Sequence, residues 1–373
     1  MKFTCSRQDL AKSLNIVSKA VSVRTTIPSL KGIMMEVKDG ELIMTASDMD
    51  ITIQDRIQVE QAEAGSVIVP AKLFGDVVRK LAGEEIAISA DESSTIEVKC
   101  LNSDFVLTGI QADEFVNIKN TDANATELVL DRHVFSEMVK STSFAASIDQ
   151  TKGVITGILT ELDNDHLRMV AIDGYRMAIA TAPAVSQEAK KIIISARIMN
   201  EIVKILADTE ERAEEETMKI TVDAKSAVLE TGKTKVIMRL IAGDFIRYQD
   251  IIPHESAIRV FVNRKELAES VDRASLLSKE GRNNLIKLAI RDNVLTITSR
   301  SEEGNVKEDV LIQKEGDDLD IGFNAKYMTD MLRAINDDEI VMNFNSSRTP
   351  CLVTPKEGDA YEYLVLPVRI SNM

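Results

Sequence analysis

The sequence predicts an α+β fold made of three tandem copies of one doubled helix-plus-sheet domain. Three observations predict it: recurring anchors, helical apolar periodicity, and runs of alternating strands between the helices. Thr4-Cys5-Ser6-Arg7-Gln8-Asp9-Leu10 returns as Val129-Leu130-Asp131-Arg132-His133-Val134-Phe135 and as Phe261-Val262-Asn263-Arg264-Lys265-Glu266-Leu267. The matching Arg7, Arg132 and Arg264 are 125 and 132 residues apart. Strand-like stretches starting at Leu42, Leu167 and Leu295 are offset by 125 and 128, and the segments around Pro70, Ser195 and Asn324 by 125 and 129. The domains are placed at 1–125, 126–253 and 254–373.

Each copy reads as doubled. In the first, a short strand ends in the capping residue Ser6 and opens a helix with Leu10, Leu14 and Val17 on one face. Alternating strands follow at Gly32–Lys38, Glu41–Ala46 and Ile51–Val59. A second helix, with Leu73, Val77 and Leu81 in period, leads to strands at Ile86–Ala90, Thr95–Lys99 and Asp104–Ile110. The other copies repeat the order, giving six helices: Ser6–Ala20, Ala71–Leu81, Asp131–Thr142, Ala196–Ala207, Asn263–Leu277 and Ala325–Ile335. The joints at Asn117–Thr126 and Pro253–Ser256 are short and polar, and the acidic run Glu210–Glu216 reads as a solvated loop.

Composition narrows the function. The 373 residues, 44% hydrophobic and 28% charged, are ordinary globular values. No apolar run approaches the roughly 20 residues that cross a bilayer, and Met1-Lys2-Phe3 opens no secretory signal, so a cytoplasmic protein is expected. Cys5, Cys100 and Cys351 are odd in number and far apart, which fits free thiols rather than disulfides or a metal site. His133, His166 and His254 have no metal-ligand spacing. No phosphate-cradling Gly loop, nucleophile elbow or carboxylate pair is present, so neither cofactor nor metal nor catalysis is expected. With no Trp and 4% aromatics, a stacking platform for single strands is not expected.

A net charge of −15 argues against nucleic acid until the charges are located. The six helices carry 15 Lys and Arg against nine Asp and Glu, leaving the rest of the chain at −21. Every helix opens with Arg or Lys, where the macrodipole favours an anion. Either the helices meet a polyanion, or their faces are simply solvated and charge-balanced.

Three stretches are distinctive: Asp173-Gly174-Tyr175-Arg176-Met177-Ala178, Pro28-Ser29-Leu30 after Arg24, and the segment Leu364–Ile370. Taken with the triplication, the basic helices on an acidic chain and the missing active site, they resemble the bacterial sliding clamps, the β subunits of DNA polymerase III. The resemblance implies a head-to-tail homodimer ring, helices inside and sheets outside, that encircles duplex DNA and tethers the replicative polymerase. It implies DNA contact by Arg24, Lys12, Lys72, Arg79, Lys80, Arg197, Lys204, Arg273 and Arg282. It implies a dimer contact of Phe105 and Leu107 with Leu276 and Leu277 of the second copy. It also implies a pocket for short apolar peptide motifs of the polymerase catalytic subunit, the clamp loader, repair polymerases, mismatch-repair proteins and ligase. That pocket maps onto Ile155, Ile172, Gly174, Tyr175, Arg176, Met177, Ile246, Ile251, Leu364, Leu366, Pro367, Val368 and Arg369. Ile172, Ile246 and Asp250 replace the commoner Thr, Pro and Arg, making the cleft more apolar and less basic. Asn102 and Asp104 stand where relatives carry arginines, and Asp149-Gln150 where some carry a DNA-contacting Gln. A triplicated interaction scaffold that never encircles DNA is the rival reading.

The stretch around Asp173-Gly174 can be read two ways. It is a hairpin tip with a snorkelling Arg, or it is the wall of a recognition pocket. The other copies carry Asp48-Met49-Asp50-Ile51 and Ser301-Glu302-Glu303-Gly304 at this place, without Tyr-Arg-Met. A requirement of the fold would recur in all three, which turns the stretch toward recognition.

Overall fold

The computed structural model describes all residues except 23, 117–125, 164, 185–188, 210–215, 280–283 and 371–373. The joint expected over 117–125, the acidic run over 210–215 and Arg282 lie outside the described residues. The first copy runs β1 (Lys2–Ser6), α1 (Arg7–Val17), β2 (Gly32–Lys38), β3 (Glu41–Ser47), β4 (Ile51–Gln58), β5 (Glu60–Glu63), β6 (Gly65–Pro70), α2 (Ala71–Lys80), β7 (Glu85–Ala90), β8 (Thr95–Cys100) and β9 (Ser103–Thr108). The second runs β10 (Thr126–Asp131), α3 (Arg132–Thr142), β11 (Gly157–Leu162), β12 (His166–Ile172), β13 (Arg176–Pro183), β14 (Lys190–Ser195), α4 (Ala196–Asp208), β15 (Thr217–Val222), β16 (Ser226–Thr231) and β17 (Thr234–Arg239). The third runs β18 (Ile258–Asn263), α5 (Arg264–Ser278), β19 (Leu285–Arg291), β20 (Val294–Ser301), β21 (Gly304–Glu315), β22 (Leu319–Asn324), α6 (Ala325–Ala334), β23 (Glu339–Phe344), β24 (Cys351–Pro355) and β25 (Tyr361–Val365). Each half-copy is strand–helix–three strands, with β5 extra in the first.

The anchors have a local physical cause. Ser6 accepts from the Asp9 amide at 3.3 Å, Asp131 from those of His133 and Val134 at 2.8 and 2.9 Å, and Asn263 from that of Glu266 at 3.0 Å. Each oxygen satisfies amides that the first helical turn leaves unpaired, so strand turns into helix at the same place in every copy. One residue of an expected face, Leu73, is not buried, whereas Val77 and Leu81 are. Leu73 is 52% exposed, and α2 buries Phe74, Val77 and Val78, with Leu81 just beyond its end. The larger aromatic Phe74 takes the core in place of Leu73 at the start of the stripe, and Val77 and Leu81 keep their places.

Contacts divide the chain into two compact units, Met1–Phe135 with Asn200–Leu240 and Ser136–Met199 with Ile241–Met373. The division cuts through the middle copy because its sheets continue into both neighbours. In the first unit, β17 pairs antiparallel with β4, joining an eight-stranded sheet ordered β10-β15-β16-β17-β4-β3-β2-β6. A five-stranded sheet, β5-β1-β7-β8-β9, leaves β9 as an edge. Helices α1 and α2 pack on each other, and α1 covers β3 and β4. In the second unit, β13 pairs with β25 and completes the twelve-stranded sheet β14-β11-β12-β13-β25-β24-β23-β18-β21-β20-β19-β22. Here α5 packs on α6 and on β19–β21.

Candidate functional site

The β13–β25 junction fixes the candidate site, because cross-strand partners share a sheet face. Two rows of paired residues cross the second unit. One pairs Ile193 with Leu159, Leu159 with Val170, Val170 with Ile179 and Ile179 with Glu362. The other pairs Ile172 with Met177, Met177 with Leu364, Leu364 with Leu352, Leu352 with Asn343 and Asn343 with Arg259. The rows are two residues apart on each strand, so they form one surface with an apolar centre. Ile155, Val154, Ile241, Phe245, Ile252 and Leu366 pack against that centre, and Tyr248 is buried in it. A Cβ on Gly157 would come within 2.9 Å of Ile241, so glycine there lets the crossing segment approach. The Tyr248 hydroxyl reaches Glu161 at 2.5 Å, and burial followed by that hydrogen bond pushes it up to about 12. Ile246 and Ile251 stay 41% and 37% exposed at the rim.

The hairpin tip is an Asx turn. Asp173 accepts from the amides of Tyr175 and Arg176 at 2.8 and 3.1 Å, and Gly174 takes φ +96°. Asp48 does the same for Asp50 and Ile51, with Met49 at φ +80°. The turn therefore belongs to the fold, whereas its cargo is particular to the middle copy. Arg176 is buried. Its Nε donates to Asp173 at 3.0 Å and Nη1 to Asp330 of α6 at 2.7 Å, while its guanidinium lies over the rings of Tyr327 and Phe144 at 4.6 and 5.5 Å. Tyr175, 57% exposed, stacks on Tyr327 with centroids 6.1 Å apart. Arg176 is thus a bracket beside the apolar floor, with its charge already matched.

The expected pocket residues consequently fall into three neighbourhoods. Ile172, Met177 and Leu364 are core residues, 7%, 1% and 3% exposed, and are not open to a ligand. The half-buried Ile155 and Leu366 pack against them, and Ile246 and Ile251 lie exposed on the crossing segment. Gly174, Tyr175 and Arg176 form the tip against α6. Pro367, Val368 and Arg369 line an adjoining groove of about 630 Å³ with Asp320, Ser347 and Arg348. The Val368 amide donates to Gly322 at 2.8 Å and ties this tail to β22. Sequence reasoning missed Phe144, Tyr327, Asp330 and Leu352. The signal for Tyr327 lay in the repeat, where Leu73 and Ile198 hold its place.

Among the expected DNA contacts, Arg24, Lys72, Lys80 and Arg197 are exposed and Lys12 is half-buried. Arg79 is paired with Asp76, Lys204 with Glu201 at 2.8 Å, and Arg273 with Glu308 at 2.7 Å. At the expected dimer contact, Phe105 and Val106 are exposed on edge strand β9, whereas Leu107 is 7% exposed. On α5, Leu276 is exposed and Leu277 half-buried. No group of three metal-ligating side chains and no helix long and apolar enough to span a membrane occurs among the described residues.

Three copies of a doubled strand–helix unit, with sheets running across the joints, define a clamp-type repeat fold. Family models described as the N-terminal, central and C-terminal domains of the DNA polymerase III beta subunit match residues 1–119, 129–246 and 249–369. The Beta sliding clamp of Staphylococcus epidermidis is 32% identical over 380 residues, covering 99% of each chain. Crystal structures of the DNA polymerase III beta subunit of Thermotoga maritima and the sliding clamp of Bacillus subtilis are both 30% identical, with TM-scores of 0.92 and 0.93. They cover 99% and 100% of this chain, and 100% of their own. The chain belongs to the DNA polymerase III beta subunit family, the bacterial sliding clamps. Its function is that of a sliding clamp in DNA replication, a processivity factor working with DNA and the replicative polymerase.

Proposed function

We propose that two copies close head to tail into a ring around duplex DNA, helices inward and sheets outward, with domains at 1–125, 126–253 and 254–373. The contact is heterologous, used twice. Phe105 on edge strand β9 meets Leu276 of the second copy, since both are large apolar groups left exposed. The protein is a non-catalytic accessory factor in the cytoplasm. Arg24, Lys12, Lys72, Arg79, Lys80, Arg197, Lys204, Arg273 and Arg282 meet the phosphates. Several of them also hold carboxylates, which keeps the contact loose and salt-sensitive. Phosphate contact reads no base sequence, so closure of the ring retains the DNA while weak contacts let it slide.

The apolar surface of Ile155, Leu366, Ile246 and Ile251, supported from below by the buried Ile172, Met177 and Leu364, captures extended apolar peptides of the polymerase, the clamp loader, repair polymerases, mismatch-repair proteins and ligase. The observation that carries this is the copy-specific tip Tyr175-Arg176-Met177 beside a floor whose rim keeps Ile246 and Ile251 exposed. A loaded dimer is expected to stay on nicked circular DNA and to slide off once the circle is linearised. Equal retention on both would favour the scaffold reading. Met177→Ala with Leu366→Ala is expected to abolish peptide binding and preserve the dimer. Loss of the dimer instead would show that Met177, which is buried, acts through the fold and not through the peptide.

A further inference from the structure

The face just assigned to peptide capture has a charge polarity. Glu362 stands on β25 opposite Ile179 and two residues before Leu364, both buried in the apolar core that supports this face. It is half-buried, and its carboxylate has no hydrogen bond or ion pair among the described residues. Burial raises its carboxyl above the usual range, Arg168 draws it partly back, and Asp359 raises it further. Arg168 makes no close ion pair with Glu362, and its charge is shared with Glu161 and Asp163. A desolvated carboxylate without a partner is costly, and a cation placed beside it gains more than it would in water.

Past Leu366 the chemistry reverses. Arg348 and Arg369 are exposed in the adjoining groove, with no carboxylate partner among the described residues. Asp320, the carboxylate lining that groove, is taken by Lys287 at 2.8 Å and Arg291 at 2.6 Å. From Glu362 to Arg369 the chain can extend about 23 Å, the reach of roughly seven extended residues.

We infer that this face takes an extended peptide whose apolar centre is flanked by a basic residue on the Glu362 side and an acidic residue on the Arg348–Arg369 side. The inference rests on the peptide-capture reading above and adds the charge pattern that sets specificity.

Three fluorescein-labelled peptides about nine residues long, spanning the face, test it on the full-length protein by anisotropy. All share a Leu-Phe centre. One has Lys before and Asp after the centre, one has the reverse, and one has Gln and Ser. One charged order is expected to bind about fivefold tighter than the neutral peptide at low salt, and the reversed order no better than neutral. In Glu362→Gln the advantage of the Lys is expected to vanish, and in Arg348→Gln with Arg369→Gln that of the Asp. Equal binding of the three peptides overturns the charge pattern and leaves peptide capture standing. A Glu362→Gln loss of the same proportion for every peptide would also overturn it, by making Glu362 structural. Failure of all three to bind overturns both readings.

Discussion

Arg176 on β13 and Asp330 on α6 meet at 2.7 Å across 154 residues of sequence. The guanidinium is almost wholly out of water, held by a second carboxylate, Asp173, and laid over the ring of Tyr327. A charge in that position is tolerable only while its partners remain. Arg176→Ala is expected to lower the unfolding free energy by roughly 3 kcal/mol, read from urea denaturation at neutral pH. Arg176→Lys should recover only part, because an ammonium cannot hold two carboxylates and a ring face together. An unchanged denaturation midpoint in Arg176→Ala would rule the bracket out.

The same pair makes stability depend on acid. Burial tends to raise the Asp330 carboxyl, but hydrogen bonds from Arg176 and Lys326 outweigh it and hold the group below its ordinary 3.8. A carboxylate whose folded pKa is depressed adds stability above its unfolded value and loses it as pH falls through the folded one. The Asp330 contribution is therefore whole at neutral pH and fades below 3.8. The melting temperature of the unaltered protein is expected to drop more between about pH 6 and about pH 3 than that of Asp330→Asn. Parallel curves would show that Asp330 is not the titrating group.

Much of this architecture could be read from local pattern. Ser6, Asp131 and Asn263 announce their helices because a cap acts over three residues. Gly32–Lys38 is legible as a strand because alternation is local too. Leu73 was misleading because periodicity gives the width of an apolar stripe, and tertiary packing decides which edge of it is buried. The site is harder to read. The floor depends on the register between β13 and β25, strands nearly 200 residues apart, and no local signal sets it. The segment crossing that floor has no period at all, and Tyr248 is buried in it because Glu161 receives its hydroxyl. Comparison between copies is what reaches the site, as Tyr175 and Tyr327 illustrate.

Asp55 offers a test of the other sheet junction. It is fully buried on β4, directly opposite Thr234 of β17, and accepts from the Thr234 hydroxyl at 2.6 Å and from Ser13 of α1. It ties the first copy's sheet and helix to the second copy's strands. Asp55→Ala leaves those hydroxyls unsatisfied and opens a void, with an expected cost of about 3 kcal/mol. Asp55→Asn, keeping shape and one acceptor, should cost less than half of that. Urea denaturation of both variants measures the difference, and equal losses would mean that volume matters here rather than hydrogen bonding.

The proposed ring contact makes a sharper demand, because neighbouring residues on one strand should behave differently. Phe105 and Leu107 point to the same face of β9, yet Phe105 is 40% exposed and Leu107 only 7%. Leu276 on α5 is 67% exposed. If Phe105 meets Leu276 of a second copy, Phe105→Ala and Leu276→Ala each remove apolar area that is buried only in the dimer. Either change is then expected to weaken dimerisation by about tenfold or more, from the roughly 2 kcal/mol that a buried large side chain contributes. The melting temperature of the separated monomer should hardly move. Leu107→Ala, by contrast, should destabilise the monomer by roughly 2–4 kcal/mol through the cavity it leaves. Sedimentation over a dilution series, paired with thermal melts at the lowest concentration, separates the two effects. A Phe105→Ala protein with undiminished dimer affinity would place the ring contact elsewhere.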